Sequence, residues 1–319
     1  MIVRWGLEEL EPVLDELGLE QPLLVTSPRL ADLEVPRAQR FAGVRRHAPV
    51  DVVAAATDAA GRADGLVAAG GGSAIDTGKA VSAATGLPLV AVPTTYSGSE
   101  WTPYFGMRDE ARRAKTGGSG ANTVAVVYDP ALTLDLPRAE TVGTAMNALA
   151  HSAEALYAGP HDDATTGAER IARWLPAVVE DGRELDPRTA LLQAAMHAGM
   201  ALADRGMFLA HAMAQALGGR YGASHGALNA LCLAPALRFN AEVVPHAVSE
   251  LAKAMGTDDA PSRVEELALL GGFERLRDLG IPGDELHDVA VQVSERPPAR
   301  SNPRPASIAD IEALLRSIW

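Results

Sequence analysis

Asn147 and His151 stand four residues apart, His211 and Gln215 repeat that interval, and His225 follows His211 by 14 residues. A spacing of four places two side chains on one face of a helix. Three imidazoles and an amide can therefore converge between helices. Neutral imidazole is a common metal ligand and an amide carbonyl a weak one, while a histidine also gives or takes a proton near neutral pH. Both chemistries are open to the set Asn147, His151, His211 and His225. Each histidine taken alone also reads as a satisfied core or surface residue, and that reading is preferred for His47, His161, His197, His246 and His287.

Two loops carry a different chemistry. Gly70-Gly71-Gly72-Ser73-Ala74-Ile75-Asp76 lies between an apolar strand pattern and a small-residue helix pattern. Glycines let the backbone turn sharply and approach a ligand, and the free N–H groups of a helix start face an anion such as phosphate. The next strand pattern ends in Pro93-Thr94-Thr95-Tyr96-Ser97-Gly98-Ser99-Glu100. Each loop alone reads as a turn or a helix cap. Two hydroxyl-rich loops at successive strand ends point to a grip on a polar, phosphorylated ligand.

The elements that must hold these residues follow from periodicity. Residues 7–18, 50–62 and 74–84 have helical patterns, and 23–26, 65–69, 87–92 and 123–128 are short apolar strands. Strands separated by helices pair in parallel. Beyond residue 137 alanine and leucine dominate, and 139–158, 164–180, 188–204, 206–218, 224–239, 246–255, 262–279, 283–293 and 307–318 read as helices. Pro297-Pro298 and Asn302-Pro303-Arg304-Pro305 mark an extended segment before the last of them. The fold class expected is α/β, with a Rossmann-like parallel-sheet domain over 1–137 followed by an all-helical domain over 138–319.

Lys and Arg number 28 against 41 Asp and Glu, a formal charge of −13. That balance argues against nucleic acid or an anionic membrane as partner. An anionic substrate would need positive charge concentrated locally. The only cysteine is Cys232, so no internal disulfide forms. No apolar run reads as a leader or membrane span, and a cytoplasmic location is expected.

These motifs, in this order, resemble the iron-containing alcohol dehydrogenase superfamily, which includes glycerol dehydrogenases and dehydroquinate synthases. Gly70-Gly71-Gly72-Ser73-x-x-Asp76-x-x-Lys79 is similar to its pyrophosphate loop, and Pro93-Thr94-Thr95-x-Ser97-Gly98-Ser99-Glu100 to its second cofactor motif. Within the superfamily the resemblance is nearest to maleylacetate reductases. It is carried further by Lys115-Thr116-Gly117-Gly118, Tyr128-Asp129-Pro130, Met146-Asn147-Ala148-Leu149-Ala150-His151, Glu154-Ala155-Leu156-Tyr157-Ala158, Leu217-Gly218-Gly219 and Asn302-Pro303-Arg304-Pro305.

The resemblance implies a dehydroquinate synthase-like architecture, NADH or NADPH as cofactor, a small organic acid as substrate, a cleft active site and a homodimer. It puts the pyrophosphate on Gly71, Gly72 and Ser73 with Asp76, places Thr94, Thr95 and Ser97 beside it and the nicotinamide, and brings Lys115 to the ribose. It puts catalysis on His151, His211, His225 and Asn147. In metal-dependent members one aspartate and three histidines hold the ion. Asn147 replaces that aspartate here, so His151, His211 and His225 are ligands in reserve and no obligatory metal is expected.

Ser27 with Arg29 would admit the 2′-phosphate of NADPH. Arg220 and Lys115 are candidates for binding substrate carboxylates. Three features depart from the pattern: Gln215 stands where a second histidine is usual on the Leu-Gly-Gly helix, the 28–41 region is shortened, and so is the chain. Two rival readings follow, a metal-dependent alcohol or aldehyde oxidoreductase and a non-redox member that has lost its catalytic histidine.

Overall fold

The computed structural model describes residues 1–319. The chain forms two compact units, one made of residues 1–95 and 99–135, the other of 96–98 and 136–319.

The first unit is built on strands β1 (Ile2–Trp5), β2 (Leu23–Thr26), β3 (Gln39–Phe41), β4 (Leu66–Gly70) and β5 (Leu89–Pro93), an outlying hairpin of β6 (Phe105–Asp109) and β7 (Ala114–Gly118), and β8 (Thr123–Tyr128). Helices α1 (Leu10–Glu16), α2 (Val50–Ala59) and α3 (Gly72–Thr85) join them. Six strands pair in parallel in the order β1-β8-β5-β4-β2-β3. Residues of β2, β4 and β5 are buried along their whole length, as their continuous apolar runs require in a sheet covered on both faces. Leu10, Val13 and Leu14 of α1 pack on Leu24, Val67, Val90 and Val127.

The chain leaves β2 toward β3 and leaves β4 toward β5. The strand order therefore reverses between β2 and β4, and open sheets bind ligands at the carboxyl ends of such a switch. The glycine loop starts there.

Three elements escape the sequence reading. Strand β1 is a half-buried edge strand with an arginine in it, and Trp5 stacks on Tyr128 at 4.9 Å. Strand β3 is exposed, three-residue Gln-Arg-Phe. The β6–β7 hairpin holds its charged and glycine-rich sequence by backbone pairing, not by an apolar face.

The second unit is helical: α4 (Arg138–Ala155), α5 (Asp162–Glu180), α6 (Leu185–Arg205), α7 (Leu209–Tyr221), α8 (His225–Asn240), α9 (Pro245–Ala254), α10 (Ala260–Leu269), α11 (Leu286–Ser294), α12 (Pro297–Arg300) and α13 (Ile308–Ser317). Helix α4 is the hub. From Thr141 to Ala155 every residue but Thr144 is buried, because α5, α6 and α8 surround the helix. The helix read over 262–279 stops at Leu269, where Gly271 and Gly272 follow and Gly272 adopts φ +76°. The segment read as extended holds one helical turn, α12, since proline fits the first turn of a helix. Asn240 and Asn302 exchange side-chain hydrogen bonds at 3.0 and 2.7 Å, and Arg304 lies over Phe239, so the Asn-Pro-Arg-Pro motif pins the chain's end to α8.

Tyr96–Gly98 packs with this helical unit. Tyr96 is fully buried, and its hydroxyl accepts from Arg188 Nη1 at 3.0 Å. Gly98 has φ +70°, and a Cβ there would lie 2.5 Å from the Ala195 carbonyl oxygen.

Candidate active site

In the sheet unit, Gly71 caps α3, whose first N–H groups lack partners within the helix. A Cβ on Gly71 would sit 2.9 Å from Thr95 Cγ2, so the loop closes tightly on the neighbouring strand end. Thr94 N–H donates to Gly70 O at 3.0 Å, fixing the two loops side by side. Ser73 Oγ accepts from the His47 N–H. Thr95 Oγ1 is buried without a hydrogen-bond partner. That orphan hydroxyl and the glycine cradle fit a phosphorylated ligand. Arg29 Nη2 reaches Thr94 Oγ1 at 3.5 Å from beyond the end of β2, bringing a cation to the same loops.

Asp76 serves the protein itself. Its carboxylate accepts from Ser99 Oγ at 2.8 Å and Gly106 N–H at 3.1 Å and pairs with Lys79 at 3.3 Å. Lys79, almost completely buried, also donates to Ser99 O, Thr102 Oγ1 and Tyr104 O. Burial outweighs the pull of Asp76 and draws the Lys79 pKa down. The Asp-x-x-Lys spacing thus ties α3 to the second loop and the hairpin. Lys115, on β7, lies over Gly106 of β6.

In the helical unit the three histidines come together. His151 and His211 stack with centroids 4.8 Å apart and planes at 15°, and His225 lies 6.0 Å from His211. Their approach depends on glycine. A Cβ on Gly226 would meet Gly143 C and O at 2.4 Å, so α4 and α8 cross with backbones touching one turn before Asn147 and next to His225.

Two residues that the sequence reading gave no role organise the cluster. The first is Glu154, three residues beyond His151 on the same face of α4 and wholly buried. Its carboxylate accepts from the N–H groups of Phe208 (2.8 Å), Ala210 (2.8 Å) and His211 (3.3 Å) at the start of α7, and from His211 Nδ1 at 2.7 Å. The His211 ring is thereby oriented with Nδ1–H toward the acid. Its Nε2 is buried and has no hydrogen-bond partner.

The second is Asn229, four residues beyond His225 on α8. The Ser97 carbonyl can only accept, so Asn147 Nδ2 faces it at 3.2 Å. That turns Asn147 Oδ1 toward Asn229 Nδ2 at 2.8 Å, and the same Nδ2 donates to His225 Nε2 at 3.2 Å. His225 Nε2 is therefore an acceptor, and Asn229 Oδ1 is left buried and unpartnered. The recurring interval of four is the signal by which Asn229 could be found from sequence.

This donor set fits a divalent ion poorly. Asn147 is neutral, its carbonyl and His225 Nε2 share one amide donor, and no group of three or more His, Cys, Asp or Glu is arranged to hold a metal. Gln215 Oε1 accepts from Arg296 Nη1 at 3.3 Å. Arg220, a candidate for binding substrate carboxylates, has its charge taken up by Glu285 and Asp288, which pair with it at 2.6 and 3.3 Å. Of the histidines set aside from the site, His161, His197 and His287 pair with Asp204, Asp163 and Glu312.

Residues 3–130 match the iron-containing alcohol dehydrogenase model and 141–319 the C-terminal model of the Fe-containing alcohol dehydrogenase family. Maleylacetate reductase 1 of Rhodococcus opacus is 38% identical over 288 residues, covering 88% of this chain and 80% of its own. Maleylacetate reductase of Pseudomonas knackmussii is 34% identical, covering 98% of this chain and 93% of its own. The crystal structure of maleylacetate reductase from Rhizobium sp. strain MTP-10005 superposes with a TM-score of 0.89 at 30% identity, covering all of this chain and 95% of that one. No helix is long and apolar enough to cross a membrane. The chain belongs to the iron-containing alcohol dehydrogenase family and is an oxidoreductase.

Proposed function

We propose that this protein is an NAD(P)H-dependent reductase of an unsaturated keto acid of the maleylacetate type, acting without an obligatory metal. The observation that carries the reading is the buried Glu154–His211 pair, whose outward nitrogen has no protein partner.

The glycine loop with Thr95 would hold the reduced nicotinamide nucleotide, which would supply a hydride. In maleylacetate the carbon β to the ketone takes it, the C=C electrons move toward the ketone, and negative charge develops on the ketone oxygen. The helical unit is equipped to meet that charge. A proton on His211 Nε2 is donated to the oxygen, and the ring returns to its neutral form with Nδ1–H still held by Glu154. Glu154 holds the ring by Nδ1, as an orienting carboxylate does for a catalytic histidine. Proton transfer is assigned to His211 because Glu154 holds its Nδ1 and its Nε2 has no protein partner. Asn147 and Asn229 hold the arrangement. Arg29 beside the glycine loop supports acceptance of NADPH as well as NADH.

Purified protein should oxidise reduced nicotinamide on addition of maleylacetate, with a rate unaffected by EDTA. His211→Ala should lower kcat by about 10²–10⁴-fold. A wild-type rate in that variant overturns the role of His211, and loss of activity in EDTA overturns the metal-free reading.

A further inference from the structure

Arg296 stands between α11 and α12, facing α7. It makes no ion pair; its one side-chain hydrogen bond is to Gln215 Oε1 at 3.3 Å, and its Nε is shielded from solvent without a partner. Burial alone acts on it, lowering its pKa from the ordinary guanidinium value. Charge left this way is unusual in a protein of net charge −13, where Arg220 on the same helix is held by two acids. A neutral amide orients the guanidinium and leaves its charge in place, whereas an acid at 215 would cancel it. Gln215 lies one turn beyond His211 on the same face of α7, and from Leu209 to Gly219 it is the only residue of that helix not fully buried.

We propose that Arg296, oriented by Gln215, is a carboxylate-binding subsite that receives the acid group next to the substrate's ketone. The proposal rests on the keto-acid reading above and names the group that binds the anionic end. A guanidinium fork that no protein acid neutralises binds a carboxylate bidentately, and Gln215, which orients it, lies one helical turn from His211 on the same face of α7.

The test is calorimetric titration of the full-length chain with maleate, a dicarboxylate lacking the ketone, alongside steady-state kinetics with maleylacetate. Arg296→Gln and Gln215→Glu should each weaken maleate binding by about 10- to 100-fold and raise KM for maleylacetate with a smaller change in kcat. Arg296→Lys should fall between, and exposed Arg300→Gln should match the wild type. Equal maleate affinity in wild type and Arg296→Gln, or no maleate binding by the wild type, overturns the subsite. Arg296-dependent maleate binding without reduction of maleylacetate keeps the subsite and overturns the keto-acid reading.

Discussion

Replacing Glu154 by glutamine preserves the side chain's shape and removes its charge. The carboxylate has four donors around it, two per oxygen: Ala210 and His211 N–H on Oε1, Phe208 N–H and His211 Nδ1 on Oε2. In E154Q the amide nitrogen must face one of these pairs. Two buried donors then meet another donor, at about 1–3 kcal/mol each, or roughly 2–6 kcal/mol together. If the nitrogen takes the Oε2 place, the His211 ring can move its proton to Nε2, where no protein partner competes, and accept from the amide through Nδ1. One conflict disappears, and the cost falls to about 1–3 kcal/mol. The variant should therefore fold at 25 °C. Its His211 then loses the carboxylate that orients Nδ1, and kcat should drop by about 10²–10⁴-fold. Nucleotide affinity should be unchanged, since Glu154 is wholly buried and its carboxylate bonds to Phe208, Ala210 and His211 and to no residue of the glycine loop. The assay is kcat with maleylacetate, with nucleotide affinity from fluorescence titration and stability from urea unfolding. A fully folded E154Q with wild-type kcat would refute the carboxylate–imidazole mechanism.

Gly226→Ala drives a methyl into the Gly143 backbone, 2.4 Å away. It should cost roughly 1–3 kcal/mol in urea unfolding and lower activity by displacing His225, and an unchanged midpoint would show that α4 and α8 separate freely. Glu100 is buried, and its Oε1 accepts from Tyr128 OH at 2.7 Å. Burial raises its pKa above the ordinary carboxylate value, so folding takes up a proton there: the fold is favoured at low pH and penalised as pH rises through the raised value. Glu100→Gln should be more stable than the wild type near about pH 8, with the difference shrinking toward about pH 4; a gap that widens on acidification contradicts this sign.

The parallel sheet and the helical unit are legible in sequence because buried strands and alanine-rich helices carry strong local patterns. Strand β1 and the β6–β7 hairpin do not: the edge strand holding Arg4 is fixed by pairing with β8, far along the chain, and the hairpin holds charges and glycines such as Arg108, Asp109 and Gly117 in place of an apolar run and closes by local backbone pairing. The convergence of His151, His211 and His225, with Asn147 beside them, was legible in their spacing, but not the bonds that each side chain makes. That Glu154 orients His211 depends on where the amides of 208–211 fall, and that His225 accepts depends on a relay starting at the Ser97 carbonyl. Asp76 and Lys79 show the reverse: motif residues whose bonds in this structure go to the protein's own loops.

The three residues Tyr96–Gly98 belong to the helical unit although they precede it by a whole stretch of the other. They supply the hydroxyl that Arg188 reaches and the carbonyl from which the Asn147–Asn229–His225 relay takes its direction. The protein cannot be dissected into halves at a single cut. A chimera joining this N-terminal half to a relative's helices would graft the relay's anchor from one ancestor onto histidines from another, and should keep imidazole geometry only if that tripeptide travels with the helices.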